Sequence, residues 1–257
     1  MDFFNNPDWF NRSGPYAFRI EHIMFILLMT IIGFTLGFLL RKRERKTIKI
    51  VLISLWAFAL AMEIMKYTLW SINAIKDGFD IEMMLPLHSC SMFMYIFPLA
   101  MFSKNKYVKT AASNFLVIVN MIMGYITMYV GCPESVFSFF GLEILLYHAI
   151  IFIVPLVMLI TGYYKLEKSD IKWGMALFLS LAILVYIFDA ITKCDYFFIY
   201  DGHKFGILYE ISENVPHIVW TLIVMTCYIL TALIMHYGIY YLSVYLEKRK
   251  QRIEDSK

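Results

Sequence analysis

The sequence predicts an all-α polytopic membrane protein, a single-domain seven-helix transmembrane bundle with its N-terminus outside and its C-terminus inside. Three observations carry this. Of 257 residues, 60% are hydrophobic and 17% charged, whereas a soluble domain carries about a quarter charged. Apolar runs of about 20 residues, the length that crosses a ~30 Å hydrocarbon core, recur at 20–40, 48–70, 85–102, 110–130, 142–164, 173–191 and 218–244. The cations sort by connection, as they do when Lys and Arg near helix ends stay cytoplasmic. Arg41, Lys42, Arg43, Arg45, Lys46 and Lys49 follow the first run; Lys104, Lys106 and Lys109 follow the third; Lys165, Lys168 and Lys172 follow the fifth; Lys248, Arg249, Lys250, Arg252 and Lys257 follow the seventh. These 17 of the 23 Lys and Arg residues stand against Arg12, Arg19, Lys76, Lys193 and Lys204 on the opposite side, with only Lys66 inside a run. A six- or eight-helix count scrambles the asymmetry.

Taken in order, the elements carry their own signals. Met1 to Arg19 lacks the basic start and long apolar core of a cleavable signal peptide; its Phe3, Phe4, Trp9, Phe10, Tyr16 and Phe18 suit an interfacial segment on the outer surface. Gly33 and Gly37 in the first run form a small-xxx-small pattern that permits close helix contact, here expected within one chain. Ile96-Phe97-Pro98-Leu99-Ala100-Met101 in the third run is echoed by Ile153-Val154-Pro155-Leu156-Val157-Met158 in the fifth, so both are expected to kink at proline, with the freed carbonyl satisfied by a neighbour. Lys193 to Pro216, rich in aromatics, is expected to cap the outer mouth. Cys132 and Cys194 fall in outer loops, and four cysteines are too few for a disulfide scaffold; two unrelated thiols are the favoured reading. A net charge of +3 is topological and implies no nucleic-acid partner.

Ionisable groups at membrane depth are costly and point to function. Glu21 and His22 enter with the first helix, Glu63 and Lys66 leave with the second, His88 and Cys90 enter with the third, His148 with the fifth, Asp189 leaves with the sixth and His217 enters with the seventh. Nearly all therefore fall in the outer half of the bundle, which suggests one cavity open to the outer side. Cys90 is its strongest nucleophile: Pro86 suits a first helical turn, which sets Cys90 near a helix N-terminus that favours a thiolate. His88, two residues away on a helix, points elsewhere. His148 enters from the same side to a similar depth, about 9 Å against about 8 Å at 1.5 Å per residue, so a Cys90–His148 dyad is allowed, with Glu63, Asp189 or Glu21 available to orient the imidazole.

Plainer readings stand beside each of these. A buried cysteine is usually an inert small hydrophobe, His148 alone suits a core histidine bonded to a carbonyl, and Glu63 and Lys66 at i and i+3 can neutralise each other. Glu21, His22 and His217 lie near the interface; Cys227 and His236 are read as structural. Zinc held by His88, His148, His217 and a carboxylate is the weaker alternative, because HExxH and close ligand pairs are absent, and no metal or other cofactor is expected. The seventh run has no lysine for a retinal Schiff base.

The Leu85-Pro86-Leu87-His88-Ser89-Cys90 opening, with Glu21-His22, His148 and Asp195-Tyr196-Phe197-Phe198, resembles the YwaF-type integral membrane proteins of bacteria. That family is similar to eukaryotic transmembrane lipid acyltransferases of ether-phospholipid (plasmalogen) synthesis. Their nucleophile is a cysteine in a Leu-Pro-x-His-x-Cys context, and the spacing to their histidine corresponds to that from Cys90 to His148. Cys194-Asp195-Tyr196 and Val215-Pro216-His217 depart from the bacterial pattern. The resemblance implies a cell-membrane enzyme that transfers or hydrolyses an acyl group on a phospholipid or lysophospholipid, with Cys90 and His148 catalytic and His88 a supporting site residue. A non-catalytic lipid-binding or transporter-like protein and a metal-dependent membrane hydrolase are the rival expectations.

Overall fold

The computed structural model describes residues 19–77, 85–130, 138–200, 212 and 214–255. The expected interfacial segment before Arg19, Cys132 and much of the outer-mouth connection lie outside them. The described chain is helical: α1 (Ile20–Leu40), α2 (Arg45–Asp77), α3 (Phe93–Phe102), α4 (Lys106–Phe115), α5 (Met121–Val130), α6 (Phe139–Ile160), α7 (Ile171–Thr192) and α8 (His217–Asp255). A π-helical turn, Leu116–Asn120, joins α4 to α5.

Six stretches among the described residues are long and apolar enough to cross a membrane: Ile20–Leu40, Arg45–Ile72, Lys106–Met128, Phe139–Ile160, Lys168–Thr192 and His217–Arg249. The run expected as a third full helix, 85–102, is helical only over the 10 residues of α3, about 15 Å at 1.5 Å per residue. The residues before it form turns.

The most enclosed helix is α6, whose span is 72% buried, followed by the rod through α4 and α5 at 67%; the span of α8 is only 17% buried. Around α6 pack α1, α2 and α5, while α4 packs against α3 and α7. The outward faces remain apolar, with Met24, Ile31, Phe58, Leu184 and Ile234 exposed, as lipid-facing surface demands.

The close-contact expectation holds, and the proline expectation holds for the freed carbonyl at Pro98. Gly33 and Gly37 lie against α6: a Cβ on Gly33 would stand 3.0 Å from Ile153 Cγ1, and one on Gly37 2.8 Å from Ile160 Cδ1. Proline at 98 denies the Met94 carbonyl its helical N–H, and Trp56 Nε1 donates to that carbonyl instead at 3.2 Å.

The tightest backbone approach is at Gly124, where a Cβ would lie 2.8 Å from the carbonyl oxygen of His148 and 3.0 Å from Phe152 N. Backbone cannot rotate aside. Gly124→Ala is therefore expected to push α5 from α6 and cost about 1–3 kcal/mol, seen as a lower thermal midpoint in detergent, whereas Gly238→Ala, which meets nothing within 4 Å, leaves it unchanged.

Candidate active site

Residues 85–92 turn rather than coil because two of their carbonyls are claimed from outside. Asn120 Nδ2 donates to the Ser89 carbonyl at 3.0 Å and the Tyr147 hydroxyl to that of Cys90 at 3.4 Å. The other backbone bonds are short-range: Leu87 N to Leu85 O at 2.9 Å, a single helical bond from Met92 N to His88 O at 3.1 Å, then Phe93 N to Cys90 O at 3.0 Å and Met94 N to Ser91 O at 3.1 Å. Pro86 thus does not open a helix, and Cys90 precedes α3 instead of lying inside it. Tyr147 stands eight residues into α6, about 12 Å along it. Irregular backbone so far inside a helical bundle is tolerated where protein surrounds it or a cavity adjoins it. The π turn that delivers Asn120 belongs to a class that recurs at functional sites.

A second irregular segment meets the first. After α7, Lys193 takes a left-handed conformation, as do Phe197 and Phe198 at φ 59° and 58°, which costs of order 1–3 kcal/mol each for such residues. Four consecutive carbonyls hold the strain, each facing a side chain of α8: Tyr228 donates to Phe197 O at 3.3 Å, Trp220 Nε1 to Phe198 O at 3.1 Å, Thr221 to Ile199 O at 2.8 Å, and His217 Nδ1 lies 2.9 Å from Tyr200 O. Asp195, fully buried, accepts from Tyr200 N at 2.9 Å. His88 is clasped between Tyr196 (ring centroids 4.9 Å apart) and Phe198 (5.6 Å). Within the expected cap, residues 194–199 thus form a largely buried turn that packs on His88 through Tyr196 and Phe198.

Within electrostatic reach of Cys90 lies a buried charge cluster. Lys66 Nζ is 2.6 Å from Glu63 Oε1 and 3.3 Å from Glu143 Oε1, with the rings of Tyr67, Trp70 and Tyr147 at 5.1, 5.2 and 5.5 Å. Glu63 and Glu143 are 1% and 0% exposed. A lone charge there is prohibitive; the lysine between two carboxylates is what makes it sustainable. Cys90 and His148 both lie within electrostatic reach of Lys66.

Cys90 is partly exposed, as a reactive thiol must be. His148 is buried, its Nδ1 lies 2.7 Å from the Ile144 carbonyl, and its Nε2 has no hydrogen-bond partner. The imidazole is therefore oriented by its own helix, and Glu63, Asp189 and Glu21 do not fill that place. Adjacent helical positions lie 100° apart, so Tyr147 faces the Cys90 carbonyl while His148 sits to one side. Glu21 is exposed. His22, expected near water, is 1% exposed and bonds through Nε2 to the Met128 carbonyl, tying α1 to α5. Asp189 is fully buried on α7, and His217 is exposed at the start of α8. Cys227 is exposed and Cys194 buried. His236 Nδ1 lies 3.0 Å from Asn114 Nδ2. Among the described residues no group of three His, Cys, Asp or Glu side chains is arranged to hold a metal ion.

Sequence reading missed Glu143, Tyr147, Asn120 and Tyr228. Glu143 had a signal: it is the only acidic residue of α6, the same oddity that singled out Glu63. Asn120, an amide among apolar neighbours, had a weaker one. Nothing local marks Tyr147 or Tyr228 among 18 tyrosines.

Neither a curated protein nor a solved structure matches the chain. The model of the TMEM164 family, a family of transmembrane proteins, matches residues 17–240, and with its multiple apolar helices the chain belongs to that family.

Proposed function

We propose that this chain is a seven-pass membrane enzyme that transfers or hydrolyses a fatty-acyl group of a glycerophospholipid through a thioester on Cys90, with His148 as proton carrier. The observation that carries the reading is Cys90 itself: a partly exposed cysteine on a non-helical turn deep in the bundle, its carbonyl held by Tyr147 of α6, whose chain neighbour His148 has an unpartnered Nε2. The resemblance of Leu85-Pro86-Leu87-His88-Ser89-Cys90 to lipid acyltransferases supports the same assignment.

The chemistry balances with this chain's groups. His148 takes the Cys90 proton; the thiolate adds to the ester carbonyl; the carbon–oxygen bond breaks, and the lysolipid alkoxide leaves with the proton from His148. A lysolipid hydroxyl or water then gives its proton to His148 and attacks the thioester, restoring the thiol. His88, held by Tyr196 and Phe198, supports the substrate at the mouth.

The seventh crossing is residues 85–102, short helix and turn together. Its support is connectivity: Arg45 at the start of α2, Lys106 at the start of α4, and Lys165 after α6 line one cavity, so the chain must return between α2 and α4. That basic end faces the cytosol by the charge rule, and the Cys90 turn then opens toward the outer leaflet.

Purified protein incubated with phospholipid labelled in its acyl chains is expected to yield a hydroxylamine-sensitive adduct that peptide mapping assigns to Cys90. Acyl release or transfer with no label ever on Cys90 would sink covalent catalysis by this thiol; lipid binding with neither adduct nor turnover would make the protein a lipid-binding one.

A further inference from the structure

At the opposite end from Cys90, a cavity of about 280 Å³ lies between the first turns of α2 and α4 and the connection from α6 to α7. Four cations line it, Arg45, Lys106, Lys109 and Lys165, with two carboxylates, Glu167 and Asp170. The carboxylates are already committed. Asp170 Oδ2 accepts the Tyr164 hydroxyl at 2.7 Å and Glu167 N at 3.1 Å, and the Glu167 side chain completes the reciprocal cap of the turn Lys168–Asp170. Of the cations, Lys165 pairs with Glu247 at 3.2 Å. Arg45 is fixed in place: one nitrogen, Nη2, donates to the Tyr163 carbonyl at 2.9 Å and the guanidinium stands 4.2 Å from the Tyr163 ring centre, leaving its other donors free for an oxyanion.

The placement runs against helix electrostatics. Arg45 opens α2, and Lys106 and Lys109 occupy the first turns of α4, where the positive end of the helix dipole favours acids; neither helix has an acid in its first turn. The charge rule of membrane topology accounts for cations in these connections, but not for four of them converging from three connections on one cavity while the neighbouring carboxylates turn to backbone and tyrosine. An anion supplied from outside the chain offsets both the dipole and the mutual repulsion, and a planar guanidinium with two ammonium groups suits a phosphate.

We propose that this cavity binds a phosphate ester, the headgroup of an anionic phospholipid or a soluble glycerol phosphate, independently of the chemistry at Cys90. The test uses the full chain in phosphatidylcholine nanodiscs, alone, with phosphatidylglycerol added, or with sn-glycerol 3-phosphate in the buffer, read by native mass spectrometry and thermal midpoint. Binding of one of these probes is expected to raise the midpoint, and Lys106→Gln with Lys109→Gln to weaken that binding about 25-fold, at roughly fivefold per cation; both side chains lie away from the helix core, so the probe-free midpoint should hold. A response to phosphatidylglycerol alone assigns the lipid source, and a response to glycerol phosphate in pure phosphatidylcholine the soluble one. No response to either, or equal binding by the double variant, overturns the proposal.

Discussion

Lys66→Met is expected to be the most damaging single substitution in the chain, costing about 3–5 kcal/mol and abolishing recovery of monodisperse protein from membranes. The reason is the company it leaves behind. Glu63 and Glu143 are enclosed almost completely, and the ammonium at 2.6 and 3.3 Å is their shared counter-charge; without it, two carboxylates face each other in a low-dielectric interior. The triple variant Lys66→Met, Glu63→Gln, Glu143→Gln removes the charges together and should recover most of the lost stability, because neutral packing can replace a buried ion cluster at little cost. Glu143→Gln alone keeps the closer pair and should cost far less than the lysine. Size-exclusion yield and thermal midpoint across these variants decide it: a Lys66→Met protein as stable as the parent would mean that the cluster is wet or that its carboxylates are already neutral.

The second large effect separates the two neighbours on α6. If His148 moves the proton for Cys90, His148→Gln should slow formation of the acyl adduct by about 10²- to 10³-fold while leaving the fold intact, since its Nδ1 bond is local to one helix turn. Tyr147→Phe removes only a hydroxyl that reaches the Cys90 backbone at 3.4 Å, and should slow the adduct less than about tenfold. Cys90→Ser should form no hydroxylamine-sensitive adduct at all. Rates measured by quenched labelling distinguish these, and raising the pH should restore part of the His148→Gln rate, because alkali supplies the thiolate that the base otherwise generates. A Tyr147→Phe defect larger than that of His148→Gln would transfer the catalytic assignment to the hydroxyl.

Much of the architecture was legible because membranes constrain it severely. Run length and charge asymmetry located the six long helices to within a few residues at most ends, with α1 matching its expected bounds of 20–40; the proline rule anticipated a rescued carbonyl, which Trp56 supplies. What escaped was decided by partners distant in sequence. Pro86 is as acceptable in a first helical turn as in a loop, and the carbonyls that unravel 85–92 are taken by Asn120 and Tyr147, 31 and 57 residues from the groups they bind. No residue in Leu116–Asn120 announces a π turn, and left-handed phenylalanines at 197 and 198 contradict local preference, so they exist only because α8 holds them. Within the candidate site, Glu63, Lys66, Cys90 and His148 were readable as ionisable groups in apolar runs. Their grouping around Lys66 was not, since it needed Glu143 and the relative rotation of α2 and α6.

The four carbonyl contacts of the 197–200 segment arise from His217, Trp220, Thr221 and Tyr228, which at helical spacing occupy a single stripe of α8. Shape in that loop is therefore written mainly in another part of the chain. A chimera that exchanges residues 193–200 with those of a relative inherits the loop's letters without its conformation, and the transplantable module is the loop together with that stripe, two pieces of sequence that recombination must move as one.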